Sequence, residues 1–144
     1  MWKKLITSVI GLLAFTFAQA DLFKAENYAK KGYIDKAHYE LYLISQRAMD
    51  GNPKAMCEFG TMYMRDGYWI IQSDEDASQW WLKSAEMGYA QCQFYIGTAY
   101  LIGSGVDKDL SQAKYWLKKA IDSTYDKYSR FAKVLYAANE LDNH

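Results

Sequence analysis

Residues 88–124 read GYAQCQFYIGTAYLIGSGVDKDLSQAKYWLKKAIDST, and residues 51–87 read GNPKAMCEFGTMYMRDGYWIIQSDEDASQWWLKSAEM, a diverged copy of the same unit. Gly60, Tyr63, Ala77, Trp80 and Gly88 of the earlier stretch recur as Gly97, Tyr100, Ala113, Trp116 and Thr124. The offset is 37 residues for the early landmarks and 36 for the later ones, so the copies differ by one residue in an internal loop. Self-similarity at such a period marks a stacked array, in which each unit buries its apolar face only against its neighbours.

Local signals divide each unit into two helices. Asn52 is placed to cap a helix whose first residue, Pro53, lacks an N–H that would be unsatisfied there anyway. That helix is expected to run to about Arg65, with Met56, Phe59, Gly60 and Tyr63 on one face, and to stop at Asp66-Gly67. Ser73 or Asp74 starts the next, which carries Ala77, Trp80, Trp81, Ala85 and Met87 up to Gly88. The second unit repeats the order: a helix over 90–102, a Gly103-Ser104-Gly105 turn, then Asp109 capping a helix through Ile121, with Gln112 at capping-box spacing.

The flanks follow the same plan more loosely. Leu22, Ala25, Tyr28 and Ala29 recur at helical spacing up to Gly32. Asp35 is expected to cap a partner helix carrying Ala37, Leu41, Ile44 and Ala48, so that 21–50 forms a diverged first hairpin. A last helix is expected from about Asp126 to Glu140, with Tyr136 repeating Tyr100 and Lys133 in the place of the glycine, half a unit suited to cap the array. Gly60 and Gly97 have a packing reason, because antiparallel helices approach to about 8 Å only where a side chain is nearly absent. Trp80 and Trp116 are then expected to fill the wider space between units.

At these residues the chain resembles the Sel-1-like repeat family, kin of the tetratricopeptide repeats. The matching positions are Gly51, Ala55, Phe59-Gly60, Tyr63, Asp74, Ala77, Trp80, Lys83, Ala85 and Gly88, then Ala90, Ile96-Gly97, Tyr100, Gly103, Gly105-Val106, Asp109, Ala113, Trp116 and Lys119-Ala120. The match covers 51–121, while 22–50 resembles a generic tetratricopeptide hairpin. Asp66-Gly67 in place of a glycine pair and Thr124 in place of the final glycine are departures that concern loop shape. The resemblance implies an all-α fold, a right-handed α-solenoid of antiparallel helix pairs with about three repeats plus a capping helix. It also implies binding of a protein or peptide along a concave surface formed by the first helix of each pair, without catalysis. Small exported bacterial members resemble immunity proteins that block a delivered toxin.

The first twenty residues read as an export signal: Lys3 and Lys4, an apolar run from Leu5 to Phe17, and Ala18-Gln19-Ala20 at the expected cleavage site. The run falls short of the roughly 20 apolar residues of a membrane span, so no stable insertion is expected after cleavage, an uncleaved anchor being the alternative. Residues 21–144 would form one repeat domain, periplasmic or secreted, with 15 basic and 17 acidic side chains and a net charge of −2. That balance argues against nucleic acid as a partner. Cys57 and Cys92 stand at different offsets from their repeat glycines, turning them about 200° apart around roughly parallel helices. The expectation is therefore two unpaired, half-buried thiols rather than a bridge, although the compartment permits one.

Chemistry is thinly represented. His38 and His144 are the histidines, and neither has a second ligand at metal spacing. Asp74-Glu75-Asp76 and Asp107/Asp109 lie at helix starts, where acids favour the dipole, and Gly103-Ser104-Gly105 reads as a turn. No cofactor, metal or catalytic residue is expected, an envelope hydrolase being the alternative class. The free protein is expected to be a monomer.

A partner groove is expected on the first-helix arc opposite the core positions. It collects Glu26 and Lys30; Lys54, Cys57, Thr61, Met64 and Arg65; Gln91, Phe94, Thr98, Leu101 and Ile102; and Lys127, Arg130 and Val134. Five basic side chains oppose one acid around an apolar centre of Met64, Phe94 and Leu101, which suits an acidic segment or chain terminus. The alternative is that the lysines only solvate the helices. The loop Tyr68-Trp69-Ile70-Ile71 is a second contact candidate, although one of Trp69 and Ile70 must plug the hairpin end as Val106 does. Lys114, Lys118 and Lys119 read as a solvated outer face.

Overall fold

The computed structural model describes residues 27–65, 70–123, 127–139 and 141. Outside them lie the expected export signal, Glu26, the loop residues Tyr68 and Trp69, Thr124 and His144. After a helical turn over 27–30 come six helices: α1 Ile34–Met49, α2 Pro53–Tyr63, α3 Asp74–Glu86, α4 Ala90–Ile102, α5 Leu110–Asp122 and α6 Lys127–Ala138. Each packs on the next in an α-solenoid, and no strand occurs among the described residues. No described helix is long and apolar enough to cross a membrane.

The caps explain where the helices start. Asn52, Ser73 and Asp109 each accept a bond from the backbone N–H three residues on, at Ala55, Asp76 and Gln112. The capping box at Asp109 is only half built, because the Asp109 N–H donates to the Tyr100 carbonyl instead. The Ser73 N–H donates likewise to Tyr63, so in both units the cap of the second helix is tied to the last tyrosine of the first. One expectation fails. Helix α1 begins at Ile34 with Tyr33 as its N-cap and no side-chain capping bond, which puts Asp35 inside the first turn, where its charge favours the dipole.

Packing follows the repeat glycines. A Cβ on Gly60 would meet the Trp81 ring at 2.8 Å, and one on Gly97 would meet Leu117 at 2.9 Å, so each glycine admits the residue after the repeat tryptophan. Trp116 then closes the core shared by Cys57, Trp81, Cys92 and Ile96, and Trp80 joins the cluster of Leu41, Ile44 and Phe59. Both tryptophans thus sit between units. The Gly103–Gly105 turn docks on the preceding unit: Ser104 Oγ donates to the Asp74 carboxylate at 2.8 Å, and Ser78 Oγ donates to the Ser104 carbonyl at 2.9 Å. Gly105, at φ +67°, lies so close to the Asp74 carbonyl that any side chain would collide with it.

The cysteines correct the sequence expectation. Cys57 and Cys92 form a disulfide, with Cα atoms 5.7 Å apart, and both are fully buried. The 200° difference in facing was sound and its consequence was inverted. Neighbouring parallel helices meet through opposite faces, so side chains about half a turn apart point at each other. The next seam has an aromatic pair in the same register, Phe94 on α4 against Tyr128 on α6 with centroids 5.9 Å apart.

Candidate protein-binding face

The first helices of the units, α2, α4 and α6, share one solvent-facing strip. Numbering from Gly60, Gly97 and Lys133, offsets −6, −2, +1 and +5 fall within about 60° of one another at about 100° per residue. They place Lys54, Glu58 and Thr61 on α2 with Arg65 just past its end, Gln91, Tyr95, Thr98 and Ile102 on α4, and Lys127, Phe131, Val134 and Ala138 on α6. Every one of these is half-buried or exposed, as a binding face requires.

Part of the expected groove is therefore seam rather than surface. Offsets −3 and +4 lie toward the next unit's first helix. Cys57 is sealed in the disulfide, Met64 packs on the core between the two units, and Phe94 packs against Tyr128 and Phe131. Leu101, expected at the apolar centre, is 8% exposed and belongs to the core around Leu117 and Ala132. The expectation placed the arc opposite each helix's own partner and left out the neighbour along the stack, an error of about 40° in azimuth. It missed Tyr95 and Phe131. A usable signal was present: Met64 and Leu101 are apolar at equivalent repeat positions, as residues that meet the next unit must be.

The remaining expected residues divide by location. Lys54 pairs with Glu58 at 3.5 Å, so the α2 end of the strip is largely self-neutralised. The Thr61 and Thr98 hydroxyls donate to the carbonyls four residues back, leaving each held against its own helix. Arg65, Lys127 and Arg130 are exposed, Arg130 at the seam position that no described helix covers. Lys30 is exposed on the turn before α1, apart from the strip. Ile70 packs on the Phe59 and Met62 cluster and is thereby the hairpin plug, while Ile71 is 90% exposed.

A chain of polar contacts stiffens the centre of the strip. Gln91 Nε2 donates to the Tyr95 hydroxyl at 3.0 Å, and Tyr95 is bonded in turn to Tyr128. Burial, and then the Tyr128 bond, push the Tyr95 phenol up to about 12. Burial followed by the Asp76 charge raises Tyr63 as well. The Tyr95 ring packs at a tilt against Trp81, centroids 5.2 Å apart, and Lys127 Nζ lies 4.8 Å from the Tyr128 ring centroid. No group of three or more His, Cys, Asp or Glu residues arranged for a metal occurs among the described residues. A shallow depression on α5, lined by Ser111, Lys114, Tyr115, Lys118, Lys119 and Asp122, is drawn from one helix only and is an open surface.

Comparison with known proteins bears on this arrangement. The Sel1 repeat family matches residues 53–89 and 90–125, together 73 of the 144 residues. A solved Sel1 repeat protein from Oxalobacter formigenes superposes with a TM-score of 0.62 at 27% identity, over 69% of this chain and 29% of its own. A chitin synthase regulator of Saccharomyces cerevisiae, SKT5, is 31% identical over 81 residues, 56% of this chain. The chain spans only 12% of the length of that yeast relative and under a third of the solved structure. Sel1 repeat proteins are protein–protein interaction modules. With the repeat glycines, tryptophans and inter-unit docking in place, the chain belongs to the Sel1 repeat family.

Proposed function

We propose that the chain is an exported, non-catalytic protein-binding module of the bacterial envelope that holds one partner along the first-helix strip. The observation that carries the reading is the buried Cys57–Cys92 bridge between the two full units. A structural disulfide needs an oxidising compartment to form and persist, and the export signal read at residues 1–20 leads to one. Within that class, immunity against an antibacterial effector is the finer reading. A hydrolase would need an activated nucleophile or general base. The described histidine, His38, sits on an exposed helix position, and the phenols with shifted pKa, Tyr63 and Tyr95, are shifted away from ionisation.

The test is affinity capture with oxidised residues 21–144 from the native envelope extract. One dominant partner at equal stoichiometry whose toxicity the protein suppresses is the expected result. Recovery of the native protein in reduced form from the cytoplasm would defeat the envelope assignment.

A further inference from the structure

The strip is chemically graded from one end to the other. At α2 its acid, Glu58, is matched by Lys54. At α4 and α6 the balance changes: neither helix contains an acidic residue, and α6 carries Lys127, Arg130 and Lys133. The same two helices leave large apolar side chains in water, with Ile102 66%, Phe131 53% and Val134 66% exposed. These occupy strip offsets +5, −2 and +1, and Phe94 beneath Phe131 joins α4 to α6 with ring centroids 6.1 Å apart. Exposed apolar groups at three strip positions of adjacent helices, with the cations Lys127 and Arg130 on the same helix as two of them, differ from the scattered hydrophobics of an ordinary surface.

We propose that the α4–α6 half of the strip is the docking site, and that its occupant is an acidic segment of the partner protein carrying one aromatic or aliphatic anchor. This rests on the protein-binding reading above and specifies its chemistry. The anchor covers Phe131 and Val134, where burial of apolar area supplies affinity at about 25 cal/mol per Å². Carboxylates on either side face Lys127 and Arg130. Complementary charge raises the association rate and selects against basic segments, whose like charge is penalised on this surface. The Gln91–Tyr95–Tyr128 chain holds the floor of the site in one arrangement, which reduces the ordering cost of binding.

The experiment uses oxidised residues 21–144 and three immobilised pools of twelve-residue peptides. Each pool has a random aromatic or aliphatic residue at the centre, with flanks of Glu and Asp, of Lys and Arg, or of Ser and Gly. Retention on the acidic pool at least tenfold above the neutral pool, and none on the basic pool, is expected. Val134→Asp and Lys127→Glu should each reduce acidic-pool retention about tenfold at unchanged circular dichroism and melting temperature. Raising salt from 50 to 500 mM should weaken retention severalfold. Equal retention on all pools, no retention on the acidic pool, indifference to Val134→Asp, or binding to phosphatidylglycerol vesicles in place of peptides would each overturn the proposal. If the envelope partner is captured with unchanged affinity by Val134→Asp and Lys127→Glu, the partner reading stands and this site falls. If no envelope partner is captured while the acidic pool is retained, the reverse holds.

Discussion

Gly97 has no room for a methyl group, since a Cβ there would stand 2.9 Å from Leu117 Cγ and 3.0 Å from the Leu117 backbone nitrogen. A backbone atom in a packed helix cannot step aside as a side-chain tip can. Alanine gains about 1 kcal/mol of helix propensity over glycine, but overpacking costs about 1–3 kcal/mol. Gly97→Ala should therefore lower stability by up to about 2 kcal/mol in urea unfolding, and a raised midpoint would refute the close approach. Gly105→Ala should cost more, about 2–4 kcal/mol, because the residue is left-handed and faces the Asp74 carbonyl. Tyr95 makes a prediction in pH. Its folded-state pKa is raised to about 12 from the ordinary value of about 10, so the fold favours the protonated phenol. The stabilisation is complete below about pH 10 and is lost as pH rises toward 12. Tyr95→Phe should flatten the alkaline loss of stability over that window, seen in urea midpoints taken at intervals between pH 9 and 12.

Among the elements, the seams between first helices differ in kind. The seam from α2 to α4 is closed by a covalent bond across 35 residues of sequence, whereas the seam from α4 to α6 is closed by aromatic rings in tilted contact. Cross-linking a loop of that length stabilises by about 3–4 kcal/mol in the chain-entropy account. Reduction, or the paired change Cys57→Ala with Cys92→Ala, should lower the unfolding free energy by roughly that amount. Cooperative unfolding at an unaltered midpoint in dithiothreitol would exclude a structural role for the bridge. The caps are a smaller lever: Asn52→Ala and Asp109→Ala should each cost about 1 kcal/mol. The caps were readable from the chain, since Asn-Pro and Asp with Gln three residues on act within one turn. Asp35 misled because a cap depends on where the chain enters the helix. Here Lys36 lies over the Tyr28 and Tyr33 rings and packs that entry in place of a capping bond.

For the whole molecule, a stack of units in nearest-neighbour contact should tolerate changes on its outer side. Reversing Lys118 and Lys119 to Glu on the exposed side of α5 should leave partner affinity unchanged, while the same reversal at Lys127 should weaken binding. The sequence by itself determined the repeat, the helix pairs, the glycines that admit close packing and the placement of Trp80 and Trp116 between units. Each of these depends on residue type at a fixed spacing within a unit or on its recurrence in the next. Only the tertiary structure decided that Cys57 and Cys92 face each other, that Leu101 and Met64 belong to seams, that Tyr95 lies half-buried on the strip and that Phe131 is exposed there. Those outcomes depend on the azimuth of one helix relative to a neighbour a whole unit away, an angle set by the packing of all the helices between them.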